Sequence, residues 1–444
     1  MKNIIKFCLP LMLGNFFQQL YNMADTIIVG RFVGKIALSA VGSVGALNFL
    51  IIGSVTGLCS GFAIPVAQRF GAQDERGLKK YVANIIYVSA VLGVVITLGA
   101  VLFTNPLLKL LNTPEDIYED AYNYIVIIFA GIGATMFYNL LASIVRSLGD
   151  SKTPLYFLLF SSVLNVVLDI FLITVFDMGV RGAAVATVIS QLVSGILCLV
   201  YVKRSFPILH ITKETSAVDF TYIKSLLKNG LPMALQFSIT AVGSVMLQSC
   251  VNGLGADVIA AVTIGGKTQL MIVLPAETIG ITMATYCGQN LGARKLDRIK
   301  KGIGRGFILA AIYSVIGMCV AKFLGPYISL LFISGSETAV INLAQQYINA
   351  GSYFYIILSV LFVLRNALQG LGYSMTAMTT GIFELCARAI GGFGFVNRLG
   401  FGAACFVNPM AWTVADMFLF PAFFVAMKKL KKKMSAEQET QTVS

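Results

Sequence analysis

Leu155–Phe176 reads LYFLLFSSVLNVVLDIFLITVF, and this almost wholly apolar stretch decides the fold class. About 20 apolar residues in a helix cross the hydrocarbon core of a bilayer, so the stretch is predicted to span a membrane. Asn165 and Asp169 lie inside it, four residues apart and therefore on one helix face. Because an ionised carboxylate in hydrocarbon costs several kcal/mol, such an acid is expected to face a water-filled or ion-binding interior.

Two other predicted spans carry oxygen ligands at a similar depth. The next span begins after Arg181 and contains Thr187, and the first span contains Asp25. At about 1.5 Å of rise per residue, Asp169 lies roughly 22 Å from the start of its helix and Thr187 roughly 9 Å from the start of the next, which runs the other way. By the same arithmetic, Asp25 lies roughly 25 Å from a start near Cys8. In a core about 30 Å thick these depths nearly coincide, so three helices are predicted to place oxygen ligands at one level.

The composition is that of a polytopic membrane protein. The 444 residues are 57% hydrophobic and 12% charged, with a mean hydropathy of +0.82. The eight cysteines are scattered through apolar segments without a paired spacing, which indicates small buried side chains rather than disulfides or metal ligands. No polar stretch is long enough to form a separate soluble domain, and the N-terminal apolar segment is expected to be an uncleaved span.

Twelve spans are predicted, which makes the expected fold an all-α membrane protein with twelve transmembrane helices. Several spans exceed the ~20 residues that a bilayer requires, so tilts, kinks or extensions into loops are expected. The predicted spans are 8–32, 41–67, 82–103, 118–145, 154–176, 182–202, 230–252, 258–288, 303–324, 338–364, 374–396 and 400–427.

The basic residues predict the orientation of the chain. Of the 33 Lys and Arg residues, 25 fall on the side of the N-terminus, among them Arg365 in a predicted loop, and 6 fall on the opposite side. Lys267 and Arg388 fall within spans. Positive charge marks the cytoplasmic side, so a multi-pass protein of the cell membrane with both termini in the cytoplasm is expected. This placement accounts for the net charge of +13 without a nucleic-acid partner, and the basic segment Lys428–Lys433 is expected to touch anionic lipid.

The two halves of the chain repeat each other. Leu9-Pro10 returns as Leu231-Pro232 at an offset of 222, and Gln68 returns as Gln289 at an offset of 221. Six spans bring the chain back to its starting side, so the halves are predicted to form two six-helix lobes related by a pseudo-two-fold axis along the membrane normal, with a substrate path between them. The predicted domains are an N-terminal lobe at 1–202, a cytoplasmic linker at 203–229, a C-terminal lobe at 230–427 and a basic, then polar, cytoplasmic tail at 428–444.

Several short motifs occur in order along almost the whole chain. They are Leu9–Asn15 (LPLMLGN), Met23–Gly30 (MADTIIVG), Gln68–Ala72 and Gln289–Ala293 (both QxxGA), Arg146–Asp150 (RSLGD), Phe383–Arg388 (FELCAR) and Asn408–Trp412 (NPMAW). Together with the twelve spans and the repeat, they resemble the multidrug and toxic compound extrusion (MATE) family of bacterial type. The resemblance implies a V-shaped pair of six-helix lobes that exports organic, often cationic, compounds in exchange for H+ or Na+.

The resemblance also implies a coupling site. Related transporters build an N-lobe cation site from an Asp of the first span, an Asn and an Asp of the fifth and a Thr of the sixth, a pattern matched by Asp25, Asn165, Asp169 and Thr187. Two carboxylates held close together in a low dielectric repel, so such a site favours taking up a proton or Na+. Cation loading would then favour one arrangement of the first helix. The alternative interpretation is that Asn165 and Thr187 only bond to backbone or neighbouring helices.

The second half departs from this pattern. The offset of 221–222 places Met246 or Leu247 where the first half has Asp25. Glu384 and Arg388 are four residues apart with the acid first, which favours a structural ion pair, with substrate binding as the alternative. Glu277 is expected either to attract a cationic substrate or to pair with Lys267 or Arg388, and Asp416 in the last span has no assigned role.

Aromatic and polar side chains in the cavity would suit flat cationic substrates through cation–π contacts and hydrogen bonds. No cofactor other than the coupling H+ or Na+, no further metal site and a monomeric state are expected; the expected partners are a small organic substrate and the lipid bilayer. The candidate cavity residues are Tyr21, Tyr138, Gln236, Glu277 and Tyr353.

Three other classes of protein would leave different patterns in the sequence. An enzyme would need a cluster of acids, histidines or metal ligands, and the one histidine, His210, falls in the predicted linker. A channel would need a ring of repeated filter residues. A flippase for lipids or lipid-linked saccharides shares the two-lobed plan and remains the alternative. It should have a more cationic cavity to hold pyrophosphate. Here the acids expected to be buried outnumber the buried bases by five (Asp25, Asp169, Glu277, Glu384 and Asp416) to two (Lys267 and Arg388), a balance that favours cation export.

Overall fold

The computed structural model describes residues 1–111, 113–330, 332–333 and 337–443. Over these ranges all regular secondary structure is helical, and there is no strand. Short π-helical segments, Val29–Val33 and Ile390–Val396, follow two of the helices, and Pro207–Leu209 forms a 3₁₀ turn. The α-helices are α1 Lys2–Ile28, α2 Lys35–Ser43, α3 Gly45–Gly71, α4 Glu75–Leu110, α5 Glu115–Ala130, α6 Ile132–Ser147, α7 Lys152–Thr174, α8 Gly179–Ser205, α9 Phe220–Asn252, α10 Ala256–Gly292, α11 Leu296–Ser329, α12 Thr338–Ser352, α13 Tyr355–Gly370, α14 Ser374–Ala389, α15 Asn397–Leu399 and α16 Phe401–Val443.

The all-α, polytopic membrane fold predicted from the sequence is confirmed. Among the described residues, eight helices are long and apolar enough to cross a membrane, and two bent helix pairs bring the number to ten. Helices also occupy the other two of the twelve predicted positions, α1 and α14. Helix α1 has 27 residues but carries several polar side chains, including Asn15, Gln18 and Asp25, which lower its hydropathy. Helix α14 has only 16 residues and continues into the π-helical segment Ile390–Val396.

The bent pairs lie at the predicted fourth and tenth spans. Helices α5 and α6 meet at 47° around Gly131, and α12 and α13 meet at 52° after Ser352. A Cβ atom at Gly131 would collide with the side chain of Val188, so the bend brings the chain close against α8 at a point where only a glycine fits. Kinks were among the features expected from the length of the predicted spans, and these two breaks are such kinks.

The repeat is visible in the backbone. Residues with positive φ recur at offsets of 221 to 223: Gln73 and Arg294 both have a φ of 56°, Gly34 (119°) corresponds to Gly255 (98°), and Gly149 (97°) corresponds to Gly372 (85°). The first pair follows α3 and α10, the second precedes α2 and α10, and the third follows α6 and α13. Each half of the sequence therefore makes the same sharp turns at the same places.

Contacts divide the chain into two compact units. One unit is Leu9–Ser238; the other joins Met1–Cys8 to the chain from Ile239 onward. The core of the first unit contains fully buried Phe62, Leu78 and Phe129. The predicted lobe boundaries at 202 and 230 remain a prediction.

The connection between α8 and α9 is shorter than the predicted linker at 203–229. Helix α8 continues to Ser205 and α9 already begins at Phe220. The segment between them packs on α4: the Asp219 N–H donates to Asn84 Oδ1 at 2.9 Å, and the Tyr87 hydroxyl donates to the Ser216 carbonyl at 2.8 Å. These hydrogen bonds fix the connection against the first unit.

One expectation for the second unit was wrong. Arg365 does not lie in a loop, because α13 continues to Gly370 and buries the arginine beside Glu384. The ion pair with Glu384 offsets part of the cost of burying this basic residue inside a span. Helix α16 continues without a break to Val443, through the segment predicted as a cytoplasmic tail, and the tail itself remains a prediction.

Candidate cation-coupling site

Helix α7 has one buried stripe, and three of its polar residues lie on it. Its buried residues recur at intervals of three or four, and the stripe includes Ser161, Asn165 and Asp169. Asn165 is 1% exposed and Asp169 0%, whereas Val163 on the opposite face is 66% exposed. The apolar face of α7 therefore suits lipid, and its two most polar residues point into the protein.

Helix α1 brings a second carboxylate to this stripe. Asp25 is 7% exposed, and its carboxyl group lies within hydrogen-bonding reach of the carboxyl group of Asp169. Three residues after Asp25 the α-helix ends and the π-helical segment Val29–Val33 begins. Single turns of π-helix inside or beside α-helices often occur at functional sites, because they change the direction of neighbouring side chains.

Neutral polar groups of α7 and α8 complete the cluster. The Asn165 amide, turned so that both of its ends find partners, donates from Nδ2 to Asp169 Oδ2 at 3.3 Å and accepts from the Thr187 N–H at 3.2 Å. The Thr187 hydroxyl donates to the Ala183 carbonyl at 3.1 Å. The structure thus brings together all four residues that the sequence singled out, Asp25, Asn165, Asp169 and Thr187.

Three buried oxygen atoms in this cluster have no hydrogen-bond partner among the described residues. They are Asp25 Oδ1, Asp169 Oδ1 and Gln191 Oε1. A buried acceptor without a donor carries its full desolvation penalty, so such atoms are rare unless a proton, a cation or a water satisfies them. The cluster can accept a proton or a hard cation, because all of its unsatisfied atoms are oxygen acceptors.

Sequence reasoning missed two members of the cluster. A third member is Tyr21, whose hydroxyl lies near the side chains of Thr187 and Gln191; its role in the substrate cavity remains a prediction. Gln191 follows Thr187 by four residues on α8, and this spacing could have revealed it. Tyr124 on α5 interacts electrostatically with Asp25 and with Tyr21. Nothing in the sequence distinguishes Tyr124 from the other aromatic residues of the spans.

The second unit contains a separate buried charge cluster. Glu384 accepts from Arg365 Nη1 at 2.9 Å and from Arg388 Nη2 at 3.2 Å, so one carboxylate bridges arginines of α13 and α14. Arg388 Nε also donates to Asn408 Oδ1 at 3.1 Å, and the Asn408 amide donates to the Tyr347 hydroxyl at 3.2 Å. The pair predicted between Glu384 and Arg388 is thus part of a larger network.

Two more acids face this network. Glu277 on α10 and Asp416 on α16 both interact electrostatically with Arg365. The arginine near Glu277 is thus Arg365, predicted to lie in a loop, and not Arg388; attraction of a cationic substrate by Glu277 remains a prediction. Lys267 is exposed, and its ammonium group lies 5.7 Å from the centre of the Phe332 ring.

The remaining candidate cavity residues lie in different settings. Tyr138 is buried on α6, and its hydroxyl donates to the Pro154 carbonyl at 3.2 Å. Gln236 is buried on α9. Tyr353 is 66% exposed and stands in the break between α12 and α13.

The fold, the repeat and the buried acids define a membrane transporter built from two related halves. The MatE family matches the chain twice, at residues 10–171 and 232–393, two segments displaced by 222 residues. The chain belongs to the MATE (MatE) family of transporters and is not an enzyme.

Curated relatives support this assignment. The chain is 31% identical over 389 residues to the probable multidrug resistance protein YpnP of Bacillus subtilis, covering 86% of this chain and 85% of that protein. It is 30% identical over 354 residues to the probable multidrug resistance protein YoeA of the same organism, covering 78% and 76%. Among solved structures, the fold is similar to an outward-facing multidrug resistance MATE family transporter, with a TM-score of 0.90, 24% identity and coverage of 97% and 96%.

Proposed function

We propose that this protein is a secondary active antiporter that exports organic, drug-like cationic compounds in exchange for H+ or Na+. It would work in the cell membrane as a monomer, with both termini in the cytoplasm, by alternating access. The single observation that carries the proposal is the meeting of two buried carboxyl groups, Asp25 and Asp169, each with an oxygen that finds no donor among the residues the structure describes.

The contact between these carboxyl groups supports exchange of a small cation. Two ionised carboxylates at this distance in a low dielectric repel, and burial further disfavours their charges. A proton shared between them, or Na+ bound by carboxylate, amide and hydroxyl oxygens, removes this repulsion. The site is therefore expected to hold one cation in one access state and to release it in the other.

Helix α1 is the element that cation binding would bias. Asp25 is carried by α1, whereas Asp169 and Thr187 belong to the hairpin of α7 and α8. Loading the site would hold α1 against this hairpin, and release would restore the repulsion between the carboxylates. A cation shifts a conformational equilibrium only by its difference in affinity for the two states, and the proposed site supplies such a difference.

The substrate class rests on the relatives and on the charge of the buried residues. YoeA and YpnP are both described as probable multidrug resistance proteins. The alternative function, a flippase for lipids or lipid-linked saccharides, needs a cationic surface to hold pyrophosphate. In the second unit, the two buried arginines of the described residues share Glu384 as a counter-charge and lie near Glu277 and Asp416, so acids outnumber bases in this network.

Dye transport in inverted membrane vesicles tests the proposal. Ethidium accumulation would be followed while first a pH gradient and then a Na+ gradient is imposed, with vesicles lacking the protein as the control. The expected result is accumulation driven by at least one of the two gradients, and the effective gradient identifies the coupling ion. If neither the pH gradient nor the Na+ gradient drives the accumulation of any compound in a panel of organic cations, the antiporter proposal is refuted.

A further inference from the structure

A polar cavity lies in the Leu9–Ser238 unit, apart from the pair of carboxyl groups of Asp25 and Asp169. Its volume is about 40 Å³, several times the roughly 10–15 Å³ that one water needs, so it can hold a group of a few heavy atoms. Parts of α1, α6 and α7 form its walls. The lining residues are Pro10, Leu11, Gly14, Asn15, Gln18, Tyr138, Asn139, Arg146, Ser151, Pro154, Leu155 and Leu158.

Arg146 is the one charged residue of this lining. It is half-buried in the last turn of α6, and it makes no ion pair with any residue that the structure describes; its Nη2 donates to Ser143 Oγ at 2.9 Å. The ionisable side chains that interact with the guanidinium, Tyr138, Cys59 and Cys198, are all neutral in their protonated forms. The cation therefore lacks a counter-charge within its surroundings.

The nearest acid in the sequence is already engaged. Asp150 Oδ1 accepts from the backbone N–H groups of Lys152 and Thr153, at 3.0 and 3.1 Å. Asp150 Oδ2 accepts from the Thr153 hydroxyl at 2.6 Å and from the Tyr201 hydroxyl at 3.1 Å. With four donors, this carboxylate holds the start of α7 and does not neutralise Arg146.

We propose that this cavity, the Arg146 pocket, binds an oxyanion, either a carboxylate or a phosphate group. The guanidinium supplies a planar set of N–H donors that matches the geometry of both anions. The amides of Gln18 and Asn139 and the hydroxyl of Ser151 add neutral polar groups around it. A partly buried cation without a partner is costly, and a bound oxyanion would offset that cost.

Two sources could supply this group. A phospholipid phosphate is one source, because the pocket lies close to the end of α6 at Ser147 and the start of α7 at Lys152, and the ends of membrane-spanning helices approach the headgroup region. The carboxylate of a transported zwitterion is the other source. The proposal concerns binding only, so its test is independent of whether the protein is an antiporter.

Thermal unfolding of the purified protein in detergent tests the pocket. Potassium phosphate is titrated against potassium chloride at equal ionic strength, because a ligand of the native state raises the melting temperature. Phosphate is expected to stabilise the wild type beyond the effect of chloride. Arg146→Gln should weaken phosphate binding by about tenfold or more, since a charge-assisted hydrogen bond is lost. Arg76→Gln, which removes an exposed arginine at the start of α4, is the matched control and should bind as the wild type does.

A second pair of variants keeps the test decisive if Arg146→Gln fails to fold. Gln18 is exposed, so Gln18→Glu should fold and place a repelling carboxylate at the rim of the pocket, again weakening phosphate binding by about tenfold. Arg146→Lys keeps the charge and should retain part of the binding. Of Arg146→Gln and Gln18→Glu, each variant that folds is compared with the wild type. Equal phosphate binding in the wild type and in these variants would overturn the proposal.

Native mass spectrometry and a carboxylate titration distinguish the two sources. The source is a lipid headgroup if phosphatidylglycerol stays bound to the wild type, is displaced by phosphate, and is lost from Arg146→Gln or Gln18→Glu. Stabilisation by potassium acetate without retained lipid identifies a carboxylate. Either result supports the pocket, whereas lipid and acetate binding that neither variant changes would count against it.

Discussion

Asp25 and Asp169 place their carboxyl groups within hydrogen-bonding reach of each other, although they lie on helices α1 and α7. Each also keeps one buried oxygen without a partner among the described residues. A structural role would be better served by a donor opposite each acid, as Asp150 has in the same unit. The pairing of two acids therefore favours reversible binding of a cation.

Asp169→Asn and Asp25→Asn are each expected to abolish gradient-driven dye efflux while leaving expression intact, because a neutral amide cannot exchange a proton or balance the charge of Na+. Efflux would be measured in inverted vesicles at matched protein levels. Asp177→Asn makes the same chemical change in the exposed turn after α7 and should leave efflux unchanged; its φ of 51° suits asparagine. Wild-type efflux in either of the first two variants would remove the acids from the coupling site.

Asn165→Ala is expected to weaken coupling without abolishing it, since the site loses a neutral ligand and keeps both charges. The measurement is the dependence of dye efflux on the size of the driving gradient, which should shift toward steeper gradients by roughly five- to tenfold in cation activity. Thr187→Ala should behave in the same way. Asn105→Ala, at an exposed hydrogen bond with Tyr118, is the control. A variant of Asn165 as inactive as Asp169→Asn would contradict this ranking.

Glu384→Gln is expected to destabilise the protein by about 3–5 kcal/mol, because it leaves Arg365 and Arg388 buried without their shared counter-charge. Equilibrium unfolding in detergent would measure the change. Arg69→Gln breaks an exposed ion pair with Asp74 at 2.8 Å and should cost at most about 1 kcal/mol. Equal costs for the two substitutions would show that burial does not govern the energy of the network.

Gly131→Ala is expected to cost about 1–3 kcal/mol, because the added Cβ would overlap the side chain of Val188 where α5 and α6 bend. Gly133→Ala, two residues later in α6, is the matched control. Nothing lies within 4 Å of a Cβ built at Gly133, so this substitution should be neutral or stabilising by up to about 1 kcal/mol. The same unfolding assay compares both, and a Gly131→Ala protein as stable as the wild type would show that α8 can move away.

Much of the fold and the centre of the candidate site could be predicted, because burial of charge in a membrane is expensive and therefore rare. Asp25 and Asp169 stand out in apolar spans, and helical rise alone gives their depth. Gln191 and Tyr124 could not be selected in this way, since neutral polar and aromatic residues are common in spans. Arg365 was misplaced because its partner, Glu384, is distant in sequence, and only the packed structure shows that its charge is balanced inside the protein.

The break at Gly131 has a counterpart at Tyr353 and Phe354, displaced by the same 222 residues that separate the two matches to the MatE family. A feature found at equivalent positions of both halves belongs to the repeating unit and not to the task that either half later took on. The bend is thus a property of the repeated unit itself. The two acids of the proposed coupling site, which only the first half carries at these positions, mark where the two halves differ in chemistry.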